Sequence, residues 1–300
     1  MKKKSSAPLV ALAAMVLVWG YSWILMKIGL RYAHPFDFVA LRAGLATVLL
    51  FALIAIQGRG FRLPRYRMAL LLGTLQVALF MALTQTALLF AGPGKTSVLT
   101  YTMPFWMIVF AHAILHERMR GAQWIAVTLA FVGLMLIVAP WQLTSFAGSA
   151  LAIGAGAVWA IAAVLSKKWP TRADPLIFTA WQLLVGTAWL AALALLHPHP
   201  PIHWAPEFIL VIFLSAAFAT AGGWWLWTYV LANTSAGIAG LSSLGIPVIA
   251  VLASALQLGE RPQPLELAGM IAIGAALALL GWLGLRRSAI RAIGTTDEHR

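Results

Sequence analysis

The chain has 300 residues, 62% hydrophobic and 10% charged, whereas a soluble domain carries about 25% charged residues. That much apolar side chain cannot hide in a water-soluble core, which excludes an ordinary soluble domain and points to a bilayer. The net charge of +13 lies in short breaks between apolar runs, which argues against a nucleic-acid partner; with no cysteine, disulfides, thiol chemistry and cysteine-ligated metals are excluded.

Residues 1–7 open with Lys2-Lys3-Lys4. The apolar run that follows reaches Leu30, too long for a cleaved signal, and reads as a retained first helix. A span needs about 20 residues. Ten segments qualify: 8–30, 35–56, 67–90, 95–115, 121–139, 148–166, 174–196, 206–230, 236–258 and 264–285. Breaks are expected at Gly58-Arg59-Gly60, Gly92-Pro93-Gly94, Pro140, Pro170, His197 to Pro206, Asn233, and Pro262 with Pro264. A polar tail follows at 286–300.

The chain also repeats itself. Val18-Trp19-Gly20, Lys27 and Pro35 recur 140 positions on as Val158-Trp159-Ala160, Lys167 and Pro175. Pro104 and Glu117-Arg118 recur 143 positions on as Pro247 and Glu260-Arg261. The expected fold is all-α and polytopic, with two five-helix repeats at 8–139 and 148–285. An odd number of spans per repeat forces the second to be inverted, as in many transporters. With the N-terminus inside, sixteen Lys and Arg fall on the inner side and four (Lys27, Arg31, Lys95, Arg261) on the outer, with Arg42 inside a helix. Both termini are therefore expected in the cytoplasm.

These features together resemble the EamA family of the drug/metabolite transporter superfamily. The resemblance rests on Trp19-Gly20-Tyr21-Ser22-Trp23, Arg42, Thr84-Gln85-Thr86-Ala87, Pro104 and Glu117-Arg118. In the second half it rests on Thr228-Tyr229, Ala232, Pro247 and Glu260-Arg261. It departs at Gln182, which stands where Arg42 would recur, and at Ile238, which stands where Lys95 would. The resemblance implies ten helices, a central cavity, a bacterial inner (cell) membrane and export of amino acids, metabolites or drugs.

Candidate site residues are those whose chemistry is costly in lipid or suited to a solute. Arg42 lies a third of the way into the second span, where a lipid-facing guanidinium would cost several kcal/mol. It is expected to face a wet cavity, where a structural or gating role leads, ahead of binding a substrate carboxylate or phosphate and of snorkelling to the outer surface. Lys27 and Lys167 read as snorkelling to headgroups, and Lys95 as a cation at the outer mouth. Trp19 and Trp23 share a helix face, Tyr101 and Trp106 flank Pro104, and Trp159 repeats Trp19. Of Trp224, Trp225 and Trp227, at least one should line the cavity and another meet lipid. Packing within the bundle is the alternative for each. Gln76, Thr84, Gln85, Thr86, Gln182, Asn233, Ser242, Ser243 and Gln257 could bind a solute or tie helices together. Pro104 and Pro247 are expected to bend their helices.

No Asp or Glu lies near the middle of a span. That favours solute-gradient export or exchange over proton antiport. No catalytic group, cofactor motif or metal cluster is read, and His197, His199 and His203 are not expected to form one. The expected partners are a small metabolite and membrane lipid, in a monomer or weak homodimer. Amino acids, especially aromatic or apolar ones, lead as substrate. Organic cations or drugs, a lipid scramblase and a non-transporting scaffold remain as alternatives.

Overall fold

The computed structural model describes residues 7–62, 65–119, 121–138, 145–170, 174–197, 200–259 and 263–294. Every regular element among them is helical. Lipid offers a bare backbone no hydrogen bonds, so apolar segments satisfy their peptide groups by coiling.

The order is α1 (Ala7–Gly29), α2 (Pro35–Ile56), α3 (Tyr66–Leu72), a first π-helical segment (Gly73–Leu79), α4 (Phe80–Thr100), α5 (Met103–Leu115), α6 (Gln123–Val138) and α7 (Phe146–Lys168). Then come α8 (Pro175–Leu196), α9 (Pro206–Leu214), a second π-helical segment (Ser215–Gly222), α10 (Gly223–Asn233), α11 (Ala236–Ser242), α12 (Gly245–Leu258) and α13 (Pro264–Gly294). Among the described residues eight helical stretches are long and apolar enough to cross a membrane, and Gln123–Ile137 and Pro264–Leu280 are shorter apolar helices. The chain is an integral membrane protein.

Local chemistry sets the ends. Pro35, Pro175 and Pro206 stand in the first turns of α2, α8 and α9, where a missing N–H costs nothing. The Asp174 carboxylate accepts from the Leu176 N–H at 2.8 Å, and Ser145 Oγ accepts from the Gly148 N–H at 3.1 Å. Gly259, after α12, takes a φ of 67°, a left-handed conformation open to glycine.

Two expectations are corrected here, the break at Gly92-Pro93-Gly94 and the bends at Pro104 and Pro247. Helical backbone runs through Gly92-Pro93-Gly94, and the interruption falls at Tyr101-Thr102. A second interruption, Ser243-Leu244, stands ahead of Pro247 as the first stands ahead of Pro104. Each helix restarts just before its proline, where the lost donor is one of the unpaired first-turn groups. The polar stretch from Arg286 continues α13 as far as Gly294. The expected breaks at Pro140 and Pro262 lie outside the described residues.

Helix contacts come in reciprocal sets. α1 packs on α10 and α12, while α7 packs on α4 and α5. The first π segment lies on α8 and the second on α2; α2 runs along α8, and α6 along α13. Where α2 meets α8, the hydroxyls of Thr47 and Thr187 are 3.2 Å apart, although 140 residues separate them in sequence.

The two ends of the bundle are tied separately. At one, Tyr32 donates to the Glu207 carboxylate and the His203 N–H donates to the Tyr32 carbonyl at 2.8 Å. At the other end of α2, Arg59 pairs with Asp174 at 2.5 Å, and Trp181 Nε1 donates to the Phe61 carbonyl at 3.0 Å.

Candidate functional site

Four indoles converge where α1, α7 and α10 meet. Trp19 lies 5.2 Å from Trp159, 6.1 Å from Trp224 and 6.0 Å from Trp227, between ring centroids. Trp159 stacks on Trp224 at 5.6 Å, with planes 22° apart, and meets Trp227 edge-on at 5.5 Å. Phe80 approaches Trp159 to 4.5 Å. Edge and offset contacts of this kind let the electron-rich face of one ring meet the positive edge of another. Trp224 and Trp227 are three residues apart and share one face of α10, so Trp225 points away and is 41% exposed.

Buried indole N–H groups need acceptors. Trp19 Nε1 donates to the Ala219 carbonyl at 2.8 Å, within the second π segment. Trp159 and Trp227 both turn their Nε1 toward the Gln76 amide, within the first π segment. Indole nitrogen only donates, so the amide oxygen must face the rings. In that orientation it accepts from Trp159 at 2.9 Å and Trp227 at 2.8 Å. Each π segment thus receives an indole from the other half of the chain. A π turn widens the helix and shifts its groups out of the ordinary register, which is why such turns recur at functional sites.

One turn along α1 from Trp19, Trp23 Nε1 donates to the Tyr101 hydroxyl at 3.0 Å, with the rings 6.2 Å apart. Tyr101 lies in the interruption before Pro104. The remaining predicted residues stand on other elements. Arg42 on α2 is half-buried, with its guanidinium carbon 5.9 Å from the Phe38 ring centroid and no hydrogen-bond partner for Nε. Gln85 on α4 is buried, and its amide oxygen has no partner. Gln182 is buried on α8, with its backbone against Gly73 of the first π segment. Ser242 is half-buried at the end of α11. The Lys95 side chain lies outside the described residues.

The expected wet cavity is not what the tryptophans line. Trp19 is 7% exposed and Trp227 is 1% exposed. Their apolar faces bury one another, so in this conformation the indoles fill the centre. Lys167 also departs from expectation: its Nζ donates to the carbonyls of Leu231, at 3.3 Å, and Thr234, where α10 ends. A helix C-terminus offers unpaired carbonyls and partial negative charge, which compete with headgroups for an ammonium in reach. Beside it, a Glu117 carboxylate oxygen accepts from the Ala236 N–H at 3.5 Å, at the start of α11. Phe80 and this Lys167–Glu117 clasp escaped the sequence reading. An apolar ring among apolar residues carries no signal, and a lysine near a helix end reads the same whether it meets lipid or protein.

Residues 6–139 and 146–282 each match the EamA-like transporter family. The chain is 26% identical over 260 residues to the uncharacterized transporter YoaV of Bacillus subtilis, covering 84% of this chain and 89% of that protein. It is 27% identical over 295 residues to an Escherichia coli protein named "Probable amino-acid metabolite efflux pump", covering 92% of this chain and 95% of that one. A solved crystal structure shares the fold, with a TM-score of 0.80 at 18% identity over 94% of this chain and 99% of its own. With both segments matched and nearly all the described helices inside them, the chain belongs to the EamA-like transporter family.

Proposed function

We propose that the chain exports a small metabolite by alternating access, with an amino acid of aromatic or apolar side chain as the leading substrate. Ten spans form two inverted five-helix halves, 8–139 and 148–285. The protein lies in a bacterial inner membrane with both termini in the cytoplasm. The observation that carries this reading is the meeting of Trp19 and Trp159, 140 residues apart in sequence, at 5.2 Å. The Thr47–Thr187 contact and the paired π segments support the same two-fold relation. A site shared by two halves can be opened from either side by rocking one half on the other.

In this conformation the site is closed on itself, and a substrate enters by parting the rings. Indole faces suit an apolar or aromatic body, and the Escherichia coli relative is named as an amino-acid metabolite efflux pump. Movement follows the solute gradient, because Asp37, Glu117, Asp174, Glu207, Glu260 and Glu266 all lie near helix ends or in loops. The test is counterflow in proteoliposomes with amino acids, sugars, nucleotides and organic cations. Counterflow confined to aromatic and apolar amino acids is expected. Uptake driven by a proton gradient alone would overturn the facilitative reading, and counterflow confined to organic cations would overturn the substrate class.

A further inference from the structure

We propose that the Gln76 amide oxygen stands where a substrate carboxylate binds, so that closure of the site and occupation of the site compete for the same two donors. This rests on the transport reading and deepens it by naming the substrate's recognised group.

The geometry is specific. Two indole N–H groups, from Trp159 on α7 and Trp227 on α10, converge on one oxygen at 2.9 and 2.8 Å. That oxygen has two lone pairs, and both are used. Two N–H groups aimed at a common point also suit a carboxylate, whose two oxygens can take one each. Trp159 and Trp227 are 5% and 1% exposed, so neither can turn to water for an acceptor. Without Gln76 both donors would be buried and unpaired, a condition proteins avoid. Any solute that displaces the glutamine must therefore bring its own acceptor.

The surroundings narrow the class further. Trp224 stacks on Trp159, Trp19 meets it edge-on and Phe80 tilts against it, so the cluster presents both ring faces and ring edges. Such faces accommodate an apolar side chain and attract an ammonium group. A zwitterionic amino acid supplies the carboxylate for the N–H pair, the ammonium for a ring face and the apolar body for the space between. Gln76 lies in a π-helical segment, a kind of turn that recurs at functional sites.

The test uses the purified full chain in lipid nanodiscs and two radiolabelled probes, L-phenylalanine and phenethylamine, which differ by the carboxylate. Gln76→Leu removes the competing acceptor at similar size. It is expected to tighten L-phenylalanine binding roughly tenfold and to change phenethylamine by less than about twofold. Gln76→Glu installs a permanent carboxylate. It is expected to weaken L-phenylalanine about tenfold or more and to strengthen phenethylamine. Equal weakening of both probes by Gln76→Leu would make Gln76 a mere support for the rings and overturn the proposal. So would the absence of L-phenylalanine binding in both wild type and variant. Should Gln76→Leu fail to fold, the opposite responses of the two probes to Gln76→Glu decide in its place. Counterflow that ignores the carboxylate would leave the transport reading standing and remove this one. Carboxylate-selective binding without counterflow would do the reverse.

Discussion

Gly133 on α6 and Gly269 on α13 fill each other's missing side chain. A Cβ on Gly133 would lie 2.7 Å from the Gly269 carbonyl oxygen, and a Cβ on Gly269 would lie 2.6 Å from that of Gly133. Ile273 and Ile137 crowd the same positions, but the facing carbonyl on each side is backbone, which cannot swing away as a side chain can. Small residues let membrane helices approach this closely, and packing at that distance replaces the hydrophobic drive that lipid removes.

Gly133→Val and Gly269→Val should each push the two helices apart and cost about 1–3 kcal/mol. Thermal unfolding in detergent measures this as a lowered Tm. Gly154→Val is the control, because nothing lies within 4 Å of its Cβ position. Equal Tm losses at Gly154 and Gly133 would show that the close contact does not matter.

A second close approach sets the tryptophan cluster. A Cβ on Gly223 would lie 2.2 Å from Trp19 Nε1. Gly223→Ala should push the indole off the Ala219 carbonyl and lower both Tm and counterflow. Trp19→Phe removes the donor and should cost about 1 kcal/mol for the lost hydrogen bond. The two changes share a contact, so they should not add: the smaller phenyl ring leaves room for the alanine methyl. A double variant with the full sum of both Tm losses would disprove the coupling.

The sequence made much of this legible where a residue's chemistry is local. Pro35, Pro175 and Pro206 mark helix starts because they act within one turn. That Trp159 repeats Trp19 was readable 140 positions on, but not that the two rings lie 5.2 Å apart. Gly92-Pro93-Gly94 misled, because glycine and proline permit a break without requiring one, and helical bonding there continues to Thr100. The two π segments leave no trace in composition, since one extra residue in a turn changes register and not hydropathy. Gln76 was visible as a polar residue in an apolar run, but its role depends on α7 and α10 bringing two N–H groups to one point. That convergence is a tertiary fact with no local signature.

Lys167 holds the last carbonyls of α10 at one end of the bundle. Lys167→Met keeps the apolar stem and removes the three donors. It should free the segment between α10 and α11 while leaving membrane insertion intact. The native chain has no cysteine, so a single one placed at Ser235 reports on that segment alone. In the Lys167→Met background its labelling by a membrane-impermeant maleimide should quicken several-fold. An unchanged rate would mean that the clasp does not hold this segment.

At the opposite end, the hydrogen bond to Glu207 raises the Tyr32 phenol above its ordinary range, with burial adding to the shift. The folded protein therefore holds this proton more tightly than the unfolded chain does. The resulting stability is complete below the unfolded phenol value of about 10 and is lost as pH rises through the folded one. Deprotonation would set a phenolate against the Glu207 carboxylate and part the loop before α2 from the first turn of α9. Wild type should thus exceed Tyr32→Phe in Tm by a constant margin from neutral pH to just below 10, and the margin should close above it. A margin that holds as pH climbs to 11, or one that closes toward acid instead, would show that the Tyr32–Glu207 bond does not tie these segments together.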